Sequence, residues 1–248
     1  MKNPNAIINS DYGPIIININ DAIIGKNISA TGFWATDDIE LIKQLLNHIY
    51  LQKEQITFYD VGANIGTHSL ALAKTYGKKI KIRAFEAQRQ IFNMMCGTLA
   101  INGISNVHCH NLAVSNEPEK TIEIALPDYG MPNNFGGLEL IPAQRSDNQR
   151  MLKPSYEKVS TTILDTFNEP VDFIKMDIEG MEDKALQGCK SIFQNFRPIC
   201  FIEILKTDAK FVFDFMAKHR YIGFQKSNDL IAIPIEHNIQ ITGLERVF

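Results

Sequence analysis

Residues 60–68 read Asp-Val-Gly-Ala-Asn-Ile-Gly-Thr-His, and this stretch decides the fold. An apolar run at 56–59 precedes it and a helix-like run at 69–73 follows it. A strand, a glycine turn and a helix N-terminus in succession suit a nucleotide-like ligand, because glycine lets the backbone approach closely and the helix end offers free N–H groups. The stretch predicts an α/β fold with a ligand at the carboxyl end of this strand.

Strand-like and helix-like segments alternate along most of the chain. Strands are expected at 80–86, 107–111, 171–177 and 199–204 with a closing hairpin at 221–234, and helices at 88–101, 181–193 and 207–219. This alternation predicts a doubly wound sheet.

Residues 1–50 are expected to form an extension to a domain at 51–248. Isoleucine-rich runs at 15–17 and 22–25 predict a small β-hairpin. Asp37 and Glu40 resemble a capping box for a helix that starts near residue 36. The extension can fold over the ligand as a lid, with Trp34 as a wall; the alternative for Trp34 is a core aromatic.

Residues 121–162 interrupt the alternation with several glycines and prolines and a polar run at 144–150. A long irregular insert in a compact domain is more often a substrate loop or lid than scaffold. The alternative is a disordered surface loop.

The composition narrows the class of protein. The 248 residues are 45% hydrophobic, which suits one large α/β domain or a domain with an extension. A net charge of -3 makes nucleic acid an unexpected partner. The four cysteines form no CxxC pair, so free thiols in a reducing compartment are expected. No apolar run approaches the ~20 residues that span a bilayer. A cytoplasmic protein without a membrane partner is therefore expected.

The glycine turn favours S-adenosylmethionine over a dinucleotide. Asn64 stands where a dinucleotide fingerprint has its second glycine, and its Cβ would obstruct a pyrophosphate. Asp60 would repel phosphate but suits the cationic side of adenosylmethionine, directly or through water. The helix N-terminus at Thr67 and His68 suits the carboxylate of the same ligand.

Two later strand ends supply further candidate contacts. Glu86 ends the second strand, twenty residues after Gly66, where a carboxylate can accept both ribose hydroxyls. NAD enzymes also use such a carboxylate, and a solvated strand-end glutamate is the simpler alternative. Asn111 and Leu112, past the third strand, offer an amide and an apolar wall for adenine.

Asp177 and Glu179 follow the fourth strand and Glu203 ends the fifth, so an acidic mouth is expected at the edge of the sheet that holds ligands. Asp177, then Glu179, are candidates for the base or for binding the acceptor hydroxyl. The three carboxylates can also hold a divalent cation, which is possible but not favoured. Asp177 as a turn residue and Glu182 as a first-turn helix residue are the simpler alternatives.

These motifs together resemble the FkbM-type methyltransferase family over about residues 22–203. The resemblance rests on the turn at 60–66, Phe85-Glu86, the run at 111–115, Leu164-Asp165, and Phe-Ile-Lys-Met-Asp-Ile-Glu-Gly-Met-Glu at 173–182. It implies a mostly parallel, seven-strand Rossmann-like sheet and adenosylmethionine-dependent O-methylation of a hydroxyl on a small molecule or sugar. Where the family usually has Glu-Pro, this chain has Glu86-Ala87.

The sequence thus yields two sets of candidate residues. The catalytic set is Asp177, Glu179 and Glu203. The cofactor set is Asp60, Gly62, Ala63, Asn64, Gly66, Thr67, His68, Glu86, Ala87, Asn111, Leu112 and Asp177.

Three rival functions are each tied to one observation. A nicotinamide-dependent oxidoreductase would bind NADH, which Asn64 disfavours. A non-catalytic adenosylmethionine-binding module would retain cofactor when Asp177 is replaced, with no effect on methyl transfer. A nucleic-acid methyltransferase would be retained on heparin. The acceptor and the oligomeric state are not fixed by the sequence.

Overall fold

The N-terminal part of the chain forms a β-hairpin and two helices. The computed structural model describes residues 3–139 and 155–248. Strands β1 (Asn5–Ser10) and β2 (Gly13–Asn18) pair in an antiparallel hairpin. Helices α1 (Ile24–Thr31) and α2 (Thr36–Tyr50) follow. None of the described helices is both long enough and apolar enough to cross a membrane.

The alternating elements of the main fold come next in the chain. Strands β3 (Ile56–Val61), β4 (Ile80–Phe85) and β5 (Val107–His110) are separated by helices α3 (Thr67–Tyr76) and α4 (Arg89–Ile101). After the insert follow β9 (Phe173–Met176), α5 (Glu182–Gln187), α6 (Lys190–Asn195), β10 (Ile199–Glu203) and α7 (Ala209–Lys218). The chain closes with β11 (Tyr221–Lys226), β12 (Asp229–Pro234) and β13 (Glu245–Arg246).

Within the described residues, the central sheet has the order β13-β11-β12-β10-β9-β3-β4-β5. The pairs β10–β9, β9–β3, β3–β4 and β4–β5 are parallel, and β11, β12 and β13 add antiparallel pairs. This confirms the predicted α/β fold with its mostly parallel sheet; the two-residue β13 extends the seven expected strands at one edge. The chain adds β4 and β5 on one side of β3 and later adds β9 and β10 on its other side, so a switch point, where such sheets hold ligands, lies beside Asp60.

The insert has a small sheet at its base. Strands β6 (Ala113–Val114), β7 (Thr121–Ala125) and β8 (Tyr156–Thr162) form it, with β8 between the other two. The prediction of an irregular insert was therefore wrong at the first and last residues of the insert, where β7 and β8 pair antiparallel. The polar run at 144–150 lies outside the described residues.

The N-terminal extension packs onto the main fold through two apolar clusters. Isoleucines of α2 share one cluster with β3, including Ile42 and Phe58. Residues of β2 and α1 share another with Ile65 of the glycine turn and Phe135 of the insert. The extension therefore contacts the glycine turn directly. The domain division at residue 50 stays a prediction.

Three local predictions were wrong. Residues 22–25 do not extend the hairpin, because the Asp21 carboxylate accepts the amides of Ile23 and Ile24 (3.0 and 3.2 Å) and turns the chain into α1. The Asp37 capping box is absent: Ala35, in the left-handed region (φ 53°), precedes α2, and no side chain caps it. The single helix at 181–193 is two helices, interrupted at Gly188, where a Cβ would lie 2.5 Å from the Ser115 carbonyl oxygen.

Candidate functional site

A cavity of about 290 Å³ opens at the carboxyl ends of β3, β4, β9 and β10. It brings together most of the residues that the sequence singled out. Its walls include Gly62, Ala63, Asn64, Thr67, His68, Glu86, Ala87, Leu112, Asp177, Glu179 and Glu203. Residues of the extension and of the insert, among them Trp34 and Asn134, close it from the other side.

The glycine turn is held tightly against two neighbouring strands. The amides of Gly62 and Ala63 both donate to the Phe85 carbonyl oxygen (3.0 and 2.9 Å). Gly62 has φ 79°, and a Cβ on it would lie 1.7 Å from the Asp177 carbonyl oxygen, so only glycine fits. Helix α3 then begins at Thr67, and the amides of its first turn lack helical partners. The start of α3, where Thr67 and His68 lie on the cavity wall, thus presents backbone donors to the cavity, as an anionic ligand group requires.

Glu86 stands beside this turn as a buried carboxylate, 7% exposed. One of its oxygens accepts the Asn64 amide (3.0 Å) and the other accepts the Gln88 amide (2.8 Å). Burial raises the pKa of Glu86 to about 7, although the two amides act in the opposite direction. Each carboxylate oxygen has more than one acceptor site, so both can still accept a ligand hydroxyl. The simpler interpretation of Glu86 as a solvated residue does not hold.

Lys175 lies beneath the cavity and joins the turn to the acidic wall. Its ammonium donates to the Gly62 carbonyl oxygen (2.8 Å) and lies 3.7 Å from Asp60 and 3.5 Å from Asp177. It is 4% exposed, so its charge is balanced by these carboxylates rather than by water. Lys175 is therefore a partner of the Asp60 and Asp177 carboxylates.

The structure does not bring Asp60, Gly66 or Asn111 to the cavity wall. Asp60 is fully buried and accepts a hydrogen bond from the Ser69 hydroxyl (2.7 Å), so it acts on the cavity through Lys175. The Asn111 amide donates to the carbonyl oxygens of Glu86 and Ala87 (2.9 and 3.0 Å) and supports the turn after β4. Of the two residues predicted to contact adenine, Asn111 and Leu112, Leu112 lies on the cavity wall.

Asp177, Glu179 and Glu203 form the acidic wall of the cavity. One carboxylate oxygen from each lies within 4.8 Å of the others. Burial, followed by the charges of Asp177 and Glu179, raises the pKa of Glu203 to about 8. Among the described residues, the Glu203 Oε2 atom is buried without a hydrogen-bond partner. Such a cluster can accept protons from a bound hydroxyl, and its oxygens also suit a hard divalent cation.

Glu182 supports this wall without lining the cavity. Its two carboxylate oxygens accept the amides of Ile178 and Gly180 (2.7 and 3.1 Å). These bonds hold the loop after β9, in which Glu179 has a left-handed backbone (φ 56°). β9 ends at Met176, so the loop that follows it carries Asp177 and Glu179 to the cavity.

Two wall residues escaped the sequence analysis. Lys206 forms an ion pair with Glu179, lies 3.5 Å from Glu139 and donates to the Gly137 carbonyl oxygen (3.2 Å). Gln88 bonds to the insert from the start of α4. Lys206 has no motif around it, and Gln88 follows the Phe85-Glu86 motif without being part of it, so no local signal marks either residue.

His108 and His110 stand two residues apart on β5, a spacing that suits a pair of metal ligands, but the structure does not support a metal there. The His110 ring stacks on Phe85 with centroids 5.0 Å apart, and its Nε2 lies 3.2 Å from an Arg83 nitrogen. Burial and the Arg83 charge lower the pKa of His110 to about 4. Among the described residues, the cluster with metal-ligand spacing is the acidic wall instead.

Comparisons with known proteins agree with this architecture. Residues 60–223 match the family described as the methyltransferase FkbM domain. The crystal structure of methyltransferase FkbM from Methylobacillus flagellatus KT is similar, with a TM-score of 0.52 and 19% identity. That match covers 72% of this chain but 44% of the other, so the chain spans less than half of that protein's length. No curated protein sequence matches significantly.

Two further solved structures resemble the fold more weakly. Precorrin-6y C5,15-methyltransferase from Geobacter metallireducens GS-15 has a TM-score of 0.44 at 11% identity, covering 78% of this chain and 85% of that one. A protein from Pyrococcus horikoshii named as the putative transferase PH0793 has a TM-score of 0.45 at 11% identity, and the match covers 94% of this chain and 73% of that one.

Proposed function

Because the chain belongs to the methyltransferase FkbM domain family, we propose that it is an S-adenosylmethionine-dependent O-methyltransferase acting on a hydroxyl of a small molecule or carbohydrate. One observation carries the proposal: a single cavity has the glycine turn and Glu86 on one side and the acidic wall of Asp177, Glu179 and Glu203 on the other. The first side suits the methyl donor and the second suits a hydroxyl that must lose a proton.

The donor side fits adenosylmethionine on its own chemistry. Glu86 offers two carboxylate oxygens for the ribose hydroxyls, and Leu112 offers an apolar wall for adenine. The free amides at the start of α3 suit the methionyl carboxylate, while nearby carboxylates suit its cationic groups. Burial, followed by the Lys175 charge, lowers the pKa of His68, so its imidazole is neutral and adds no positive charge. Adenosylmethionine, when bound, supplies an activated methyl group.

On the acceptor side, the chain's own task is to orient a hydroxyl and take its proton. Asp177, the first candidate from sequence, is held by Lys175 (3.5 Å) and suits the role of orienting the acceptor. Glu203 has an unbonded buried oxygen and a pKa of about 8, near the pH at which a general base is most effective. In this proposal the acceptor O–H proton moves to the Glu203 carboxylate while Asp177 holds the hydroxyl. The same wall leaves room for a divalent cation as an alternative aid.

Calorimetric titration with S-adenosylhomocysteine, beside NADH, tests the donor side. We expect S-adenosylhomocysteine to bind and NADH not to bind. The reverse result would favour the oxidoreductase, and no binding of S-adenosylhomocysteine would refute the proposal.

Transfer of labelled methyl from adenosylmethionine to a panel of hydroxylated small molecules and sugars tests the acceptor side. We expect at least one acceptor to be labelled by wild-type protein. Asp177→Asn should lower that labelling by about a hundredfold, a size typical of lost acid–base or positioning groups. Binding of S-adenosylhomocysteine without labelling of any acceptor, in the presence or absence of Mg²⁺, would favour the non-catalytic module.

A further inference from the structure

Residues 129–138 of the insert, here named the cover, lie across the donor side of the cavity. Asn134, Gly136, Gly137 and Leu138 belong to its wall. A Cβ on Gly136 would lie 3.1 Å from the Asn64 side chain, so the cover touches the glycine turn itself. The sequence suggested a substrate loop here, whereas these contacts place the cover against the residues proposed to bind the cofactor.

Gln88 connects the cover to the main fold. Its side-chain amide donates to the Phe135 carbonyl oxygen (2.8 Å), and its carbonyl oxygen accepts the Tyr129 hydroxyl (3.1 Å). The side chain therefore satisfies both of its polar ends within the cover. Gln88 is 4% exposed, so water cannot replace these bonds without the cover moving. Burial raises the pKa of Tyr129, which keeps its hydroxyl available as a donor.

Gln88 is also tied to Glu86. The backbone amide of Gln88 donates to one carboxylate oxygen of Glu86 (2.8 Å), which lies two residues earlier in the chain. The same carboxylate is the group that suits the ribose hydroxyls. Gln88 thus connects the cover, through its side chain, to the Glu86 carboxylate that suits the ligand, through its backbone amide. A ligand bound at Glu86 and the cover therefore cannot shift far without affecting each other.

The N-terminal extension holds the cover from its opposite side. The side-chain amides of Asn18 and Asn20 donate to the Tyr129 carbonyl oxygen (3.0 and 3.1 Å). The Ala22 amide donates to the Asn133 carbonyl oxygen (2.8 Å). On the side of the strand ends, the cover is held by Gln88 and, through the Gly137 carbonyl oxygen, by Lys206 (3.2 Å).

We propose that Gln88 is a positioning residue that fixes the cover over bound adenosylmethionine and slows its release. This inference rests on the proposed function and adds a role for the insert in retaining the cofactor. Gln88 acts through Phe135, Tyr129 and Glu86 rather than on the reacting atoms.

The test compares dissociation of S-adenosylhomocysteine from wild-type protein and from Gln88→Met, which keeps the length of the side chain and removes both bonds. We expect dissociation about tenfold faster, which corresponds to about 1.4 kcal/mol and lies towards the lower end of what two lost hydrogen bonds contribute. Tyr129→Phe removes one of the bonds and should give about threefold. In Gln88→Met, the Tyr129→Phe change should add little. Amide hydrogen exchange at 129–138 should also become faster in Gln88→Met.

Gln187→Met is the matched control, because Gln187 accepts a hydrogen bond from Asn116 (2.9 Å) away from the cavity. It should leave dissociation unchanged. Equal dissociation rates in wild-type and both cover variants would overturn the inference, even if the variants melt at a lower temperature. Tyr129→Phe supplies the decision if Gln88→Met does not fold. Wild-type protein that binds no S-adenosylhomocysteine would refute the proposed function and, with it, the role in retention.

Discussion

Replacing Glu86 with glutamine should separate cofactor recognition from folding. The carboxylate accepts one backbone amide on each oxygen, from Asn64 and from Gln88. In Glu86→Gln the side-chain NH₂ must face one of those two amides, and the remaining oxygen carries no charge. The ribose hydroxyls therefore lose an ionised acceptor on both sides.

The magnitude follows from these bonds. A hydrogen bond to a charged group contributes about 1.5–3 kcal/mol, so a net loss of about 2 kcal/mol is expected. That corresponds to about thirtyfold weaker binding of S-adenosylhomocysteine.

The pH dependence gives a second signature. Burial raises the pKa of Glu86 to about 7 in the free protein. The ionised form is the one that accepts both hydroxyls, so wild-type affinity should rise as pH increases through about 7 and level off above it. Glu86→Gln has no such group and should lack this rise.

Calorimetry with S-adenosylhomocysteine between pH 5.5 and pH 8.5 measures both effects. Glu123→Gln, on the exposed face of β7, is the control for loss of one carboxylate and should behave as wild type. Equal affinities for wild-type protein and Glu86→Gln at pH 8, or the same pH slope in both, would refute the assignment of Glu86 to the ribose.

Three further predictions test the turn, the scaffold and the base. Gly62→Ala should lower the free energy of unfolding, measured by urea denaturation, by about 3 kcal/mol or more, because the new Cβ would lie 1.7 Å from the Asp177 carbonyl oxygen. Gly77→Ala is the control: its Cβ would enter open space, so it should cost only about 1–2 kcal/mol. Glu169 is partly buried, which opposes ionisation, but hydrogen bonds from Arg83 and Lys81 lower its pKa to about 2. The resulting stabilisation, about 1–2 kcal/mol after solvent screening, is present above pH 4.5 and is lost as pH falls towards 2. Glu169→Gln should therefore lower the free energy of unfolding at pH 7 and change it much less at pH 2. Methyl transfer should increase as pH rises through about 8, and an unchanged profile in Glu203→Gln would exclude Glu203 as the base.

Much of the fold follows from local signals in the sequence. The buried strands β3, β9 and β10 have short apolar runs, and Asp208 caps α7 by accepting the Phe211 amide (3.0 Å), as its position before an apolar period predicts. One error arose where distant contacts outweigh local preference. The helix at 181–193 is interrupted at Gly188, whose carbonyl oxygen accepts the Asp165 amide (3.3 Å), and the Asp165 carboxylate accepts the amides of Ser191 and Ile192 at the start of α6. No helical period in the sequence indicates these contacts.

The residues of the candidate site also fall into two groups: those that local motifs predict, and those whose role depends on contacts distant in sequence. Gly62 and Glu86 lie within motifs whose spacing fixes their relation, so their place on the cavity wall could be predicted. Asp60 belongs to the same motif, but its burial depends on Lys175, which arrives from another strand. Lys206 and Gln88 act through bonds to an insert without a regular pattern, so only the folded chain reveals them.

The position of β3 in the middle of the sheet has a consequence for how the protein is made. β3 pairs with β4, whose partner residues lie 24 residues later in the chain, but its other edge pairs with β9, where Asp60 lies opposite Lys175, 115 residues further on. Chains fold as they emerge from the ribosome, and contacts distant in sequence form late. A nascent chain can therefore assemble the glycine turn and Glu86 well before the acidic wall exists. The Asp60 carboxylate therefore lacks its partner, the Lys175 ammonium, until the second half of the sheet has been synthesised and has paired with β3.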